Sequence, residues 1–271
     1  VYQRAAELGE RHLVVVDEAH LIPPDGCGRY RQFLEEEKTV SPKARLVGLT
    51  ATPYRLGCGW ITKDRAGDDD EKFDRLLDAI VYEAPVAGLI ADGTLSAVVS
   101  RRAARSFDFF GVKTTRGDFD ESEVEARLLK GDVLTLACEE IVRLTRNRRK
   151  VLIFCNRLES SRRCAAALRR FQNEFDVAIV DGSTPSGDRD ALIRRFKGEE
   201  VADLFGNVPK RLKFVCNVGV LTTGFDAPNV DCVVLLRPTK SLALYQQMVG
   251  RGLRRCEEKE NCLVLDYGGN V

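Results

Sequence analysis

The second half of this chain alternates short apolar, β-branched runs with helical patterns, and few folds accept that alternation. The runs are Val151–Cys155, Val177–Val180, Leu212–Asn217, Val230–Leu236 and Cys262–Tyr267. Helical periodicity fills Leu158–Phe171, Ser186–Phe196 and Ser241–Val249. Strands that are apolar throughout, rather than at every second residue, are buried on both faces. Helices of this length between them serve as crossover connections. The pattern therefore predicts an α/β fold with a parallel sheet covered on both sides.

The first half is thinner. Strands are predicted at His12–Val16 and Ala44–Leu49, a helix at Arg29–Lys38, and a short helix at Pro85–Asp92 closed by Gly93; an Asp-rich loop spans 62–72. Two strands are too few for a closed doubly wound domain, so residues 1–97 read as the later part of one. The start at Val1 without methionine agrees with N-terminal truncation or processing. An incomplete sheet exposes an open edge and apolar surface, which predicts poor solubility for an isolated 1–97. Periodicity weakens over 98–130, the expected inter-domain connection, and 131–271 forms the second domain.

Charge narrows the function classes. The 271 residues carry a net charge of +1, which excludes a uniformly basic nucleic-acid coat. Any polyanion must meet local clusters such as Arg143, Arg146, Arg148, Arg149 and Lys150, a run that reads first as a solvated helix end. No signal peptide and no membrane-length apolar run is present. The nine cysteines form no C-x-x-C pair and only His12 and His20 could join them, which argues against zinc. Cys155, Cys216 and Cys232 lie in strands, where a thiol acts as a small hydrophobe. Reduced thiols point to the cytoplasm.

Four segments could carry chemistry. Asp17-Glu18-Ala19-His20 ends the first strand, where α/β proteins place ligands. One carboxylate can hold Mg²⁺ through water and the other can polarise an attacking water; the bland alternative is an acidic helix start. Thr50-Ala51-Thr52 ends the next strand, as a hydroxyl bridge or a turn before Pro53. Leu221-Thr222-Thr223-Gly224-Phe225-Asp226 follows Leu212–Asn217 and suits phosphate and ribose contacts, or a tight turn before Pro228. On a helix, Gln247, Arg251 and Arg254 fall within about 60° of one another. Leu242, Tyr245, Val249 and Leu253 then face the sheet. Two guanidiniums can neutralise a polyphosphate, with Gly250 and Gly252 allowing close backbone approach; a solvated arginine face is the alternative.

Taken in order, these segments resemble the motifs of superfamily 2 helicases. DEAH at 17–20 is similar to motif II, Thr50-Ala51-Thr52 to motif III, Val151–Cys155 to motif IV, Thr222–Asp226 to motif V and Gln247–Arg254 to motif VI. The strings GLTATPYRLG, VLTTGFDAP, LRPT, QMVGRGLR and CLVLDYGG resemble the RadD group of bacterial DNA-repair ATPases over nearly the whole chain.

The resemblance implies two RecA-like domains of the P-loop NTPase helicase core, the first incomplete, with ATP and Mg²⁺ as cofactors. Asp17 would hold Mg²⁺, Glu18 would share that site as catalytic base, and Arg251 and Arg254 would act as arginine fingers. Gly224, Asp226 and Gln247 would sit by the nucleotide, and His20, Thr50 and Thr52 would couple hydrolysis to DNA. Gly182, Ser183, Thr184 and Thr222 would contact single-stranded or branched DNA without sequence preference. Single-strand-binding or repair proteins are the expected protein partners. The chain departs from the family in three places. No Gly-Lys dipeptide, hence no phosphate-cradling loop, occurs. The group's cysteine-rich tail does not follow, and the segment 198–210 is long. The chain alone is therefore expected to be inactive. The motor of a type I or III restriction enzyme, and a non-catalytic nucleic-acid-binding module that has lost its phosphate loop, remain alternatives.

Overall fold

The computed structural model describes residues 5–22, 28–56, 58–65, 73–104, 106–115, 117–199, 209–221 and 226–270. They fall into two compact units, 1–83 and 84–271.

In the first unit α1 (Ala5–Leu8), β1 (Leu13–Val16), a 3-10 turn (Ala19–Leu21), α2 (Arg29–Val40), β2 (Arg45–Gly48) and a hairpin of β3 (Tyr54–Arg55) and β4 (Gly59–Trp60) follow one another. β1 and β2 pair in parallel, Leu13 opposite Arg45 and Val16 opposite Gly48. Val16, Ala19, Ile22 and Leu34 form a small core. Leu13, Val15, Val47 and Leu49 are exposed. A two-stranded sheet has only enough cover for one face, so the other stays open.

The second unit runs α3 (Val86–Ala91), β5 (Ala97–Arg102), a hairpin of β6 (Thr114–Thr115) and β7 (Asp118–Phe119), α4 (Glu121–Leu128) and α5 (Val133–Leu144). Then come β8 (Val151–Phe154), α6 (Leu158–Phe171), β9 (Asp176–Val180), α7 (Ser186–Lys197), β10 (Leu212–Asn217), β11 (Cys232–Leu235), α8 (Leu242–Leu253) and β12 (Asn261–Asp266). Six strands form one sheet in the order β5-β12-β11-β8-β10-β9, all parallel. Alternation sorts its side chains. Val151 and Ile153 pack under α5 and α6 with Cys138, Cys164 and Leu168. Leu152 and Phe154 pack on the opposite face with Phe196 of α7 and Met248 of α8. The sandwich predicted from the apolar runs is the one observed.

Two expectations change. The segment 98–130 is not a free connection: β5 joins the sheet edge beside β12, and residues 84–97 belong with the second unit. Its register there is physical, because Leu95 bridges Arg254 and the Ser96 amide donates to the Leu253 carbonyl at 2.7 Å. The basic run 143–150 is not wholly a solvated helix end either. Lys150 is buried and donates from Nζ to the Leu212 carbonyl at 2.7 Å. Arg148 Nη1 donates to Asn261 Oδ1 at 2.9 Å. These long stems reach across strand ends and leave only Arg143, Arg146 and Arg149 exposed.

Candidate functional site

In the first unit the carboxylate motif is built by the end of β1. The amide of Leu49 donates to the Val16 carbonyl at 2.8 Å and the amide of Ala19 to the Leu49 carbonyl at 2.9 Å, so the DEAH turn is laced to the end of β2. The turn needs a reversal, and Glu18 supplies it with φ 51°, ψ 45°. Among the described residues no other non-glycine residue has a positive φ. Left-handed backbone in a glutamate costs of order 1 kcal/mol and is retained where neighbours enforce it, commonly at functional sites. Asp17 Oδ1 accepts from the Glu18 amide at 2.9 Å. Both carboxylates remain open to solvent, hard oxygen donors of the kind Mg²⁺ takes.

Gly48 explains how β2 comes so near. A methyl there would lie 2.8 Å from Ala19 Cβ and from Leu77 Cδ1. His20 is buried, its Nδ1 2.8 Å from Thr50 Oγ1 and 3.5 Å from Glu18 Oε2. The Thr50 hydroxyl in turn accepts the Thr52 amide at 3.0 Å. The two segments are thus one connected unit: Glu18, His20, Thr50, Thr52. Thr52 is 3% exposed, and its hydroxyl has no hydrogen-bond partner among the described residues.

Burial lowers the His20 pKa from its ordinary value and nearby Arg55 adds to this, against the opposing charge of Glu18. The neutral ring is therefore the folded form's preference. The unfolded chain takes up this proton first as pH falls, so stability is full above about pH 6.5 and declines below it. Urea unfolding of the first unit will show a lower midpoint at about pH 5.5 than at about 7.5. His20→Gln will flatten that slope.

In the second unit α8 starts at Ser241, whose hydroxyl accepts the Leu244 amide at 3.2 Å. Its sheet-facing side is Leu244, Tyr245, Met248 and Gly252; Leu242, expected there, is exposed because it occupies the first helical position. The helix ends at Leu253, and Arg254 has extended backbone (φ −62°, ψ 135°). Gln247 and Arg251 share a helical face as expected, but Arg254 has left it. Its guanidinium instead pairs with the Asp226 carboxylate. Arg251 is 9% exposed.

Sequence reasoning missed the residue that ends this helix. Lys259 Nζ lies 2.9 Å from the Gly252 carbonyl, 3.1 Å from those of Pro228 and Val230, and also donates to that of Arg254. A cation at a helix C-terminus offsets the exposed carbonyls. Burial lowers the Lys259 pKa. Nothing in the local sequence marks this lysine, because its partners come from two separate segments, Pro228 to Val230 and Gly252 to Arg254. Asp118 is similar, its Oδ2 accepting from the Thr239 hydroxyl at 2.7 Å just before α8.

Gly252 approaches the sheet rather than a ligand. A Cβ there would meet Cys262 Sγ at 2.2 Å and Val233 Cγ2 at 2.8 Å, whereas Gly250 has open space. Gly252→Ala will therefore destabilise the second unit by about 1–3 kcal/mol through overpacking. Gly250→Ala will be neutral or stabilising by up to about 1 kcal/mol. Denaturant midpoints separate the two.

The loop expected to meet nucleic acid follows β9. Asp181 Oδ1 accepts from the Ser183 hydroxyl at 2.6 Å and from the amides of Ser183 and Thr184 at 2.8 and 3.1 Å. The Ser183 hydroxyl contributes most to holding the Asp181 carboxyl below its usual range. Gly182, Ser183 and Thr184 thus lie in a shaped turn at the carboxyl end of the sheet. Thr222 and Gly224 lie outside the described residues.

Residues 132–256 match the helicase conserved C-terminal domain. A Saccharomyces cerevisiae protein provisionally named an ATP-dependent helicase, IRC3, is 27% identical over 95% of this chain, which spans 34% of that protein. The DNA-bound type ISP restriction-modification enzyme LlaBIII is similar in fold, with TM-score 0.58, 16% identity, and coverage of 98% of this chain and 19% of that one. A single-substitution variant of S. cerevisiae Dbp5 bound to RNA and ADP BeF3 is likewise similar, with TM-score 0.53, 15% identity, and coverage of 96% of this chain and 57% of that one. The match to the helicase conserved C-terminal domain thus falls within the second unit, whose fold, a six-stranded parallel sheet with helices on both faces, is similar to that of these structures.

Proposed function

We propose that this chain is part of an ATP-dependent DNA helicase or translocase of superfamily 2, acting in DNA repair in the cytoplasm and similar to the RadD group. The observation that carries the reading is the laced unit of Glu18, His20, Thr50 and Thr52. A base held in a left-handed turn is tied there, through a buried histidine, to the hydroxyls of the next strand. Such a link can pass a change at the nucleotide into the chain beyond it.

In this reading Asp17 would hold Mg²⁺, which would supply charge screening for the phosphates of ATP, and Glu18 would orient the attacking water and take its proton. Arg251 and Arg254 offset the charge that develops on the transferred group, with Gln247 and Asp226 beside the nucleotide. The turn Gly182-Ser183-Thr184 offers amides and hydroxyls to phosphates, which gives binding without sequence preference. In this reading the phosphates would be cradled by a loop outside these 271 residues, and the chain alone is expected to be inactive. A second reading is the motor of a restriction enzyme, which a nuclease domain in the parent gene would select.

The test is ATP hydrolysis by the longer parent protein with and without single-stranded DNA. Turnover stimulated by DNA supports the motor. DNA binding without turnover moves the assignment to a non-catalytic module.

A further inference from the structure

Four thiols converge inside the second unit where the local sequence offers no metal motif. Cys155 follows β8, Cys216 lies in β10, Cys164 in α6 and Cys138 in α5, and all are 0–1% exposed. The Sγ atoms of Cys155, Cys164 and Cys216 all lie within 4.8 Å of one another. Cys164 Sγ is 3.6 Å from Cys138 Sγ and 3.8 Å from Cys216 Sγ. With Zn–S bonds of about 2.3 Å, the sulfur–sulfur edge of a tetrahedral thiolate site is about 3.8 Å. Two of the observed edges already have that length.

A second observation points the same way. Ser161, one turn before Cys164 on α6, is fully buried, and its hydroxyl has no hydrogen-bond partner among the described residues. A metal-bound thiolate would give that hydroxyl a charged acceptor, the usual arrangement around ligating sulfur. The nearest carboxylate, Glu125, is turned to the Ser160 amide at 2.7 Å and Asn156 Nδ2 at 3.1 Å, away from service as a ligand.

We propose that Cys155, Cys164 and Cys216, with Cys138 beside them, form a binding site for one thiophilic ion, zinc or cuprous copper, within the core of the second unit. Soft thiolates select these ions over magnesium or calcium. Each ligating thiol gives up its proton on binding, and the ion enters as the unit folds, since no ligand is exposed.

The full chain is produced in medium supplemented with zinc or with copper, purified under reducing conditions without chelator, and its metal content measured by elemental analysis. One ion per chain is expected, with occupancy falling about tenfold in Cys164→Ala and in Cys216→Ala. Cys232→Ala, equally buried but outside the cluster, should keep its metal. Zinc takes four ligands, of which Cys138 would supply the fourth, so Cys138→Ala would lower zinc occupancy; cuprous ion is satisfied by three thiolates, so Cys138→Ala would retain it. Wild-type protein that carries no ion under either condition overturns the proposal, whether or not the variants fold. So does an occupancy that Cys164→Ala and Cys216→Ala, folded by circular dichroism, leave unchanged.

Discussion

On the proposed reading, Glu18→Gln in a protein that joins this chain to a phosphate-cradling loop will lower ATP turnover by about 10²–10⁴-fold while leaving nucleotide affinity and the folded structure in place. The substitution keeps size and the left-handed backbone demand, since glutamine tolerates φ 51° no better or worse than glutamate. On the proposed reading it deletes the proton acceptor, and it also removes the negative charge beside His20. Glu18→Gly offers the internal control: it relieves the backbone at that position and also removes the base, so its protein should be at least as stable and equally inactive. Single-turnover hydrolysis and nucleotide titration of the three proteins decide the matter. Full turnover in Glu18→Gln would place the base elsewhere, with Asp17 the next residue to vary.

The arginine pair gives the second large effect, and the structure separates its members. Arg254 is extended, part-exposed and paired with Asp226, so Arg254→Ala should lower turnover about 10³-fold with little change in unfolding midpoint. Arg251 is 9% exposed on α8, so Arg251→Ala should lose turnover and stability together as its packed stem disappears. Arg254→Lys keeps the charge but not the planar fork, and should recover only part of the rate. Turnover per folded molecule is the readout. An Arg254→Ala protein with undiminished rate would confine the finger role to Arg251.

Much of this was legible in the sequence for a plain reason. Runs such as Val151–Phe154 and Leu212–Asn217 are apolar at every position, and only a strand covered on both faces asks for that. The DEAH turn was legible because its residues are contiguous. What escaped is what arises from distant pieces. Lys259 ends α8 through carbonyls of other segments. The thiols of Cys138, Cys164 and Cys216 are 26 and 52 residues apart, so a search for paired cysteines cannot see them. β5 escaped because Ala97–Arg102 is half polar, as an edge strand can be. Leu242 and Arg254 were misplaced for a shared reason: helix ends depart from the 3.6-residue period that assigns faces.

The strand order also carries a consequence for how the chain is made. β5 leaves the ribosome early in the second unit, yet among the described residues its one neighbour in the sheet is β12, the last strand described. Between them β8 through β11 can pair and collapse while β5 waits beside an unfilled gap. Nascent protein therefore passes through a stage with two bare strand edges, those of β5 and β11, facing one another across a missing strand. Another nascent chain offering its own β5 or β11 can fill such a gap as well as β12 can. Slow synthesis near residue 260 would prolong that stage, and crowded polysomes are where mispairing would first be seen.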